Sequence, residues 1–558
     1  MNDIRRTILW VIFGFSLVLL WDQWQLYNGR VATFFPAPST KPAASAPAEQ
    51  ASTQLPQAAA VPGSQQIAAA EVKAEPAQRE RVVVRSDVLA LSFDSEGGSL
   101  VRAELIKHSD PNHPEKNFVL LDQSKERVYL AQSGLIGGNF PNHKTVMTLA
   151  PGARELKDGT DQLELKFESP VMGGVQLVKT FTLKRGHYDL AVRHELINKG
   201  ASAVSPQLYV QLVRDGNKPA GESAFYSTFT GPAFYTEAKK YQKIEFSDIE
   251  KNKFEVDKQA DNGYVAMVQH YFASAWLMAK GVQREIFMRK VDNNLYSAGM
   301  IAQVGEIAPG AIKTLEASLF AGPQEEKVLE SLAPGLELVK DYGWLTILAK
   351  PLYWLLDQLY QIFKNWGWAI VALVVVLKIA FYWLNAKAYA SMAKMKAINP
   401  RIMEMRERLK NNPQQMQQEM MKIYREEKVN PMGGCLPIMI QIPFFIALYW
   451  VLLSSVEMRN APWIGWIKDL SAMDPYYILP LLMTLTTLLQ TALNPAPPDP
   501  MQAKMMWLMP LMFSVMFFFF PAGLVLYWLT NNILSIAQQW LINTRMGVPP
   551  QFNLPKFK

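Results

Sequence analysis

Lys378 interrupts an otherwise apolar run at residues 366–384, and a cation placed there can act electrostatically on another charge. On insertion scales a charged side chain at the centre of a membrane helix costs roughly 2.5–3.5 kcal/mol, so such residues usually face water or a partner inside the protein. Lys378 is therefore predicted to mark a functional cavity. The alternative is a lysine of the membrane interface whose side chain bends toward the nearer headgroups.

Uncharged polar side chains recur on the neighbouring apolar segments at spacings of three to four residues. This spacing places them on one face of each helix. They can bond helices together, each worth about 0.6 kcal/mol, or line a hydrated cavity with Lys378, and the sequence leaves both interpretations open. The main candidates are Gln441, Thr487, Tyr527, Asn531, Ser535 and Gln538.

The sequence contains no recognisable catalytic or metal-binding pattern. The six histidines all lie between residues 108 and 270, and the stretch from His194 to Asn198 has asparagine where a zinc-protease helix needs its second histidine. His194 shares strand parity with three apolar neighbours, which predicts a core histidine. The single cysteine, Cys435, excludes an intramolecular disulfide and a cysteine metal cluster. We expect neither an enzyme nor a cofactor.

The 558 residues, with a net charge of +7, divide by composition into several segments. Residues 1–27 contain an apolar run at 7–20, followed by bulky residues where a signal-peptide cleavage site needs small ones. This predicts an uncleaved transmembrane anchor. Residues 28–80 are rich in Ala, Pro, Gln and Ser, and this composition predicts a disordered tether.

Residues 81–325 show a period of two, clearest at 162–168 and 188–196, with turn residues between short apolar stretches. This pattern predicts an antiparallel β-sandwich. A connecting helix is predicted at 325–339, and an amphipathic helix follows at 344–363. Together they account for the segment 326–364. The second of these is expected to lie in the membrane interface and to be interrupted by Pro351.

Further spans are predicted at 366–384, 432–453, 476–491, 505–520 and 523–542, which makes six with the anchor. With their flanking residues included, these spans divide the rest of the chain into four segments. They are the second span at 365–386, a helical hairpin at 387–430, the third to sixth spans at 431–543 and a short basic tail at 544–558. Lys and Arg are concentrated in the hairpin and near both termini, which predicts a cytoplasmic location for all three. The β domain then lies outside, which in a bacterium is the periplasm.

The hairpin at 387–430 repeats apolar residues at helical spacing on both sides of Asn411-Asn-Pro413. This predicts two antiparallel amphipathic helices. Methionine suits surfaces that bind varied apolar partners, but packing of the two helices on each other explains the pattern equally well. The excess basic charge can also attract anionic lipid or RNA, without sequence specificity. The methionines concerned are Met392, Met395, Met405, Met416 and Met420.

Several motifs within residues 342–546 resemble the YidC membrane protein insertases. They are Tyr389-Ala-Ser-Met-Ala-Lys-Met395, Asn430-Pro-Met-Gly-Gly-Cys-Leu-Pro-Ile-Met-Ile-Gln-Ile-Pro443, Asp474-Pro-Tyr-Tyr-Ile-Leu-Pro480, Asp499-Pro-Met-Gln502 and Phe520-Pro-Ala-Gly-Leu-Val-Leu-Tyr-Trp528. The preceding anchor, tether and large β domain resemble the Gram-negative form of the family. The resemblance implies a polytopic α-helical membrane protein with a five-span core, a hydrophilic groove closed toward the periplasm, and an all-β periplasmic supersandwich domain.

The same resemblance implies partners and site residues. The implied partners are nascent membrane proteins, the Sec translocon and the ribosome, the last through the cytoplasmic loops because the tail is short. The groove cation of the family corresponds to Lys378, where arginine is usual, and lysine offers a point charge rather than a bidentate fork. The substrate-contacting tyrosine corresponds to Tyr527, and Trp528 stands where a second tyrosine is common.

We predict an insertase of the bacterial inner membrane that works without nucleotide hydrolysis. In this hypothesis a polar or acidic substrate segment enters the groove, which lowers its desolvation cost. The hydrophobic span then slides into lipid along Met439, Phe444, Met512, Phe513 and Met516. The alternatives are a transporter or channel for a small anionic solute, and a β domain whose main task is to bind sugar or a periplasmic partner.

Overall fold

The computed structural model describes residues 55–56, 79–111, 113–219, 228–409, 412–427, 436–494, 500–547 and 552. The chain forms two compact units, Met1–Lys340 and Asp341–Lys558. The predicted anchor at 1–27 lies outside the described residues. So does the predicted tether, apart from Leu55, Pro56 and its last two residues.

The described part of the first unit consists mainly of antiparallel strands. They are β1 (Arg81–Arg85), β2 (Leu89–Asp94), β3 (Ser99–Ser109), β4 (Asn117–Gln123), β5 (Val128–Ile136), β6 (Thr148–Leu149), β7 (Gln162–Glu168), β8 (Val175–Lys184), β9 (Asp189–Asn198), β10 (Gln207–Asp215), β11 (Gly231–Thr236), β12 (Lys240–Lys243), β13 (Tyr264–Gln269), β14 (Phe272–Met278), β15 (Arg284–Asp292), β16 (Leu295–Gln303) and β17 (Ile312–Pro323).

These strands make two sheets in the described residues, and we call this unit the β domain. The eight-stranded sheet has the order β1-β2-β3-β4-β5-β10-β16-β15, and the nine-stranded sheet has the order β12-β11-β13-β14-β17-β9-β8-β7-β6. Tyr129 of the first sheet bonds Ser274 of the second through its hydroxyl at 2.5 Å, so the sheets pack face to face. The predicted antiparallel two-sheet domain is confirmed.

The period of two seen in the sequence follows from this packing. Strand β7 buries Leu163, Leu165 and Phe167 and exposes the charged residues between them, because successive side chains of a strand point to opposite faces. Strand β9 follows the same rule and turns His194 into the core, where it is fully buried. The nine-stranded sheet therefore has a solvated outer face along these strands.

In the described residues of the β domain, the helices are short. They are α1 (Phe246–Glu250) and α2 (Glu326–Leu332), and a 3-10 turn follows at Leu336–Val339. The predicted continuous connecting helix at 325–339 is therefore wrong. Pro334 lacks the N–H that a continuing helix needs, and Gly335 adopts the left-handed conformation at φ +78°.

The second unit is helical in its described part. A 3-10 turn at Gly343–Leu345 precedes α3 (Thr346–Phe363), α4 (Trp366–Ala380), α5 (Tyr382–Arg408), α6 (Pro413–Glu426), α7 (Leu436–Ser454), α8 (Ile478–Leu493), α9 (Pro500–Met516) and α10 (Ala522–Arg545), with further 3-10 turns at Val456–Met458 and Phe517–Phe519.

Two predicted features of these helices are wrong. Pro351 lies inside α3 and does not interrupt it, because a buried face including Ala349, Leu352 and Leu356 holds the helix against its neighbours despite one lost backbone bond. The predicted helix at 366–384 instead ends at Ala380. The chain turns by 68° at Phe381 before α5 begins.

The core of the helical unit lies where α4, α7 and α10 meet. Its centre includes Ile370, Leu373, Ala447, Val451 and Val525, each with at most 1% of its surface exposed. These are apolar residues at helical spacing, so the core accounts for the inward faces of three predicted spans.

One bent pair of described helices has the length and composition of a membrane span. Among the described helices, none is long and apolar enough by itself to cross a bilayer, whereas the bent pair Trp366–Ala380 and Tyr382–Met395 together meets that requirement. Shorter apolar helical stretches occupy Met439–Ser454, Ile478–Leu493 and Ala503–Phe519.

Candidate functional site: a polar cavity between helices

A small cavity of about 20 Å³ lies between α4, α5, α7 and α10, which is room for about one water molecule. Its apolar walls come mainly from α4 and α7, including Leu377, Phe444 and Phe445, and Phe381 at the bend closes one side with its ring 5.1 Å from that of Phe444. The polar lining consists of Lys378, Asn385, Gln441, Tyr527 and Asn531. Four helices thus bring polar groups to one partly apolar space.

Lys378 is anchored at this cavity by α10. Its ammonium Nζ donates to Ser535 Oγ at 2.6 Å, and the Ser535 hydroxyl in turn donates to the backbone carbonyl of Asn531 at 2.7 Å. In the described part of the chain, no carboxylate forms an ion pair with Lys378. An ammonium has three donors, so this partly buried cation keeps donor capacity and an uncompensated charge beside the cavity.

An amide pair closes the side of the cavity near the bend. Gln441 Nε2 donates to Asn385 Oδ1 at 2.5 Å, and both residues are at most 8% exposed. Asn385 falls within the predicted second span at 365–386 but was not among the predicted site residues. The available signal was its spacing of seven residues, two helical turns, from Lys378.

Tyr527 reaches the cavity but its hydroxyl has no hydrogen-bond partner among the described residues, although the residue is 1% exposed. Its ring centroid is 6.2 Å from that of Phe445. A buried hydroxyl without a partner carries a desolvation cost. Tyr527 can therefore give or accept a hydrogen bond when a polar group enters this space.

Three predicted groove residues lie away from the cavity lining. Trp528 packs its ring against Phe517 at 4.5 Å. Thr487 accepts a hydrogen bond from Asn532 Nδ2 at 2.8 Å and so joins α8 to α10. Gln538 is buried farther along α10. For Thr487, the structure shows the interhelical bonding that the sequence had left as an alternative.

A family model described as the YidC periplasmic domain matches residues 81–355, and one described as the 60Kd inner membrane protein matches 358–548. The membrane protein insertase YidC of Cupriavidus necator is 56% identical over 550 residues, covering 98% of each chain. That of Ralstonia nicotianae is 54% identical over 549 residues, again covering 98% of both.

The chain belongs to the YidC membrane protein insertase family. A crystal structure of an active YidC insertase with its first transmembrane domain resolved matches with 18% identity and a TM-score of 0.39, covering 84% of this chain and 92% of that one. The predicted family and the insertase function are confirmed, and the relatives give no support to the transporter alternative. Family membership also places the chain in the bacterial inner membrane with a periplasmic domain.

The apolar residues predicted to guide substrate in this YidC family member divide into two groups. Met439, Met512 and Phe513 are exposed, with about half or more of their surface accessible. Met516 packs against the helical core, and Phe444 lines the cavity. Exposed apolar surface on helices of this kind is what contact with lipid or an apolar partner requires.

The hairpin of α5 and α6 packs largely on itself. Met405 is buried with Ile398, Ile402 and Ile423, and the other members of the predicted set, Met395, Met416 and Met420, lie against them. Arg401 binds Glu426 and Glu427 across the pair at 2.9 and 2.8 Å. Met392 lies outside this cluster. Helix pairing therefore accounts for most of the methionine pattern.

The periplasmic domain contains a buried basic cluster of its own. Lys179 Nζ donates to the carbonyls of Gly97 and Ser133, both at 2.6 Å, and the Ser133 hydroxyl pairs with His194 Nε2 at 2.9 Å. Burial lowers the pKa of Lys179 to about 7. Burial, and secondly the neighbouring Lys179, lowers the pKa of His194 to about 3. The histidine is a fully buried core residue bonded through Nε2, and within the described residues no group of three or more His, Cys, Asp or Glu side chains is arranged to hold a metal.

Proposed function

We propose that the cavity beside Lys378 widens between its helices and receives the polar, often acidic, segment of a nascent membrane protein during its insertion. The observation that carries the proposal is the hydrogen bond from Lys378 to a neutral hydroxyl at the edge of a cavity. A carboxylate at the bilayer centre costs roughly 2.5–3.5 kcal/mol on insertion scales. A cation in a recess between helices offsets part of that cost.

The remaining lining residues give the cavity hydrogen-bonding capacity without a fixed counterion. Asn531 and the Tyr527 hydroxyl lie along one face of α10, four residues apart, so a substrate segment in the cavity meets both. Lys378 supplies a point charge and not a bidentate fork. We therefore expect the site to accept many acidic sequences and to select substrate segments by their charge rather than by the geometry of their side chains.

Transfer into lipid then needs no covalent chemistry and no cofactor. The hydrophobic span of the substrate leaves along the exposed apolar side chains of α7 and α9, including Met439, Met512 and Phe513. Partitioning of about 20 apolar residues into the bilayer supplies the free energy. The Sec translocon and the ribosome are the partners we expect at this step.

The topology that fits this account has six spans, with the hairpin and both termini in the cytoplasm. The excess of Lys and Arg in the hairpin and the tail supports this orientation. In it, Lys378 lies toward the cytoplasmic end of the second span, so the cavity serves the inner leaflet. Substrates then start from the side on which they are synthesised.

The proposal is tested by combining a variant of the cation with a variant of the substrate. Lys378→Ala and Lys378→Arg proteins are reconstituted in lipid vesicles, and insertion of a small two-span protein is followed by protease protection. The substrate carries either Asp or Asn in its translocated segment. We expect Lys378→Ala to slow the Asp substrate about tenfold, or about 1.4 kcal/mol, and to leave the Asn substrate nearly unchanged, while Lys378→Arg retains activity.

A matched control is Lys394→Ala, which removes an exposed lysine from α5. It should leave both substrates unaffected. Equal losses for the Asp and Asn substrates in Lys378→Ala would show a structural role for the lysine. Normal insertion of both substrates would remove it from the mechanism.

A further inference from the structure

The eight-stranded sheet of the β domain carries an apolar cluster on the face turned away from the other sheet. Four neighbouring strands, β5, β10, β16 and β15, contribute one side chain each, namely Ile136, Tyr209, Ile301 and Phe287. Ser133, of opposite parity to Ile136 on β5, contacts His194 of the nine-stranded sheet. Because side chains alternate along a strand, the cluster faces outward from the sandwich.

This outward cluster is nevertheless buried. Each of its four members is at most 9% exposed, and an apolar side chain that packs against them is Leu55, far away in sequence. Pro56 beside it is buried too. Apolar area removed from water contributes about 25 cal/mol per Å². The contact therefore favours a seated Leu55.

A directional bond accompanies the apolar contact. Arg289 of β15 donates from Nη1 to the backbone carbonyl of Leu55 at 2.6 Å, across 234 positions of sequence. Its guanidinium carbon also lies 5.8 Å from the centroid of the Phe287 ring. Hydrogen bonds from an ionised donor are stronger than neutral ones. Arg289 therefore fixes the backbone of Leu55, while the apolar cluster holds its side chain.

The sequence of this segment suits such a contact. Leu55 is the only leucine between residues 27 and 88, in a stretch dominated by Ala, Pro, Gln and Ser. Pro56 disfavours a helical conformation at Leu55 and brings no N–H that would need a partner when buried. A Leu-Pro pair in such a composition therefore docks at a low conformational cost.

We propose that the face formed by Ile136, Tyr209, Ile301 and Phe287, with Arg289, is a docking site for Leu55 and Pro56 of the same chain, and that it pins the tether to the periplasmic domain. Fully extended, the residues from Tyr27 to Arg79 would reach about 180 Å, whereas those from Tyr27 to Leu55 reach about 95 Å. The pin roughly halves the greatest distance between the predicted anchor and the domain.

The test measures distances by pulsed electron spin resonance on the full-length protein in lipid nanodiscs. Cys435 is replaced by Ser, and spin labels are placed at Gln57→Cys, next to the docked pair, and at Lys184→Cys, an exposed position of the domain. We expect a narrow distance distribution. Leu55→Gly should broaden it about twofold or more, as for a released flexible chain, and Arg289→Ala should broaden it without any change in the tether.

The matched control is Ile67→Gly, which removes another large apolar side chain from the same stretch and should leave the distribution narrow. A broad distribution in the unsubstituted protein would overturn the proposal, and so would equal effects of Leu55→Gly and Ile67→Gly. Dilution with unlabelled protein distinguishes a contact from a second copy. A narrow peak that disappears on dilution would also contradict a pin within one chain.

Discussion

Lys179 in the β domain and Lys378 in the helical unit are both withdrawn from solvent, and in the described residues neither forms an ion pair with a carboxylate. Their surroundings differ in one respect. Lys179 is fully buried and donates to two backbone carbonyls, so nothing can reach its ammonium. Lys378 is only partly buried, has one hydroxyl acceptor and adjoins a cavity.

The difference shows that burial of a cation does not by itself indicate function. At Lys179 the protein supplies the acceptors and leaves no space, so the lysine joins two elements of the domain. At Lys378 a single hydroxyl accepts from the ammonium, and the adjoining cavity has room for a small polar group. A buried cation is thus a candidate for substrate contact when acceptors are few and space is available.

The largest effect we expect distinguishes the two lysines by stability. Lys179→Ala leaves a space in the core and two buried carbonyls without their donor, which should lower the free energy of unfolding of the β domain by about 3 kcal/mol. Hydrogen exchange of the strand amides in the full-length protein measures this loss. Lys184→Ala, at an exposed position of the same strand, is the control and should change it little. An unchanged exchange rate in Lys179→Ala would remove its structural role.

A smaller effect concerns pH. The pKa of Lys179 is about 7 in the folded protein against 10.5 ordinarily, so between these values the unfolded chain binds more protons than the folded one. Stability of the β domain should therefore rise with pH across this window, by up to about 1.4 kcal/mol per pH unit. The stabilisation should be lost again as pH falls toward 7.

Lys179→Met provides the comparison for this pH dependence, because it keeps the length of the side chain and removes the titrating amine. Hydrogen exchange referenced at each pH to its intrinsic rate should show a flatter profile between pH 7 and 10 in this variant. Identical slopes in the two proteins would assign the pH dependence to another group.

The smallest effect is expected from Lys378→Met on stability. The substitution removes a cation with a single observed hydrogen bond, and Ser535 keeps its own bond to the helix backbone. We expect a change of less than about 1 kcal/mol in either direction, well below that of a core substitution. Hydrogen exchange of the α4 and α10 amides, monitored as the temperature is raised, measures this change in stability. A loss as large as that of Lys179→Ala would make the two lysines equivalent and break the comparison.

How much the sequence predicts depends on the element. The alternation at 162–168 gave β7 directly, since one face of that strand is buried and the other solvated. Lys378 was recognisable because a cation in an apolar run is costly. Lys179 shares parity with Leu177 and Phe181, so its inward direction was readable from the same period, although nothing in the sequence singles it out.

The rest depended on geometry that one sequence does not contain. Thr487 and Gln538 have the same spacing as the cavity residues, but the rotation of each helix decides which polar face meets Lys378, and packing sets that rotation. The bend at Phe381 brings Asn385 to the cavity, and no proline or glycine at the bend predicts it from the sequence. The contact of Leu55 with the β domain joins segments more than 200 residues apart.

The most direct test of the central claim is photocrosslinking from the cavity during insertion of a substrate with an acidic translocated segment. The photoreactive residue is placed at Asn531, which lines the cavity, or at Ile379, which is 70% exposed beside Lys378. Mass spectrometry then locates each crosslink on the substrate. We predict crosslinks from position 531 to the acidic segment, and from position 379 only to the apolar span. Crosslinks to the acidic segment from 379 and none from 531 would contradict the account.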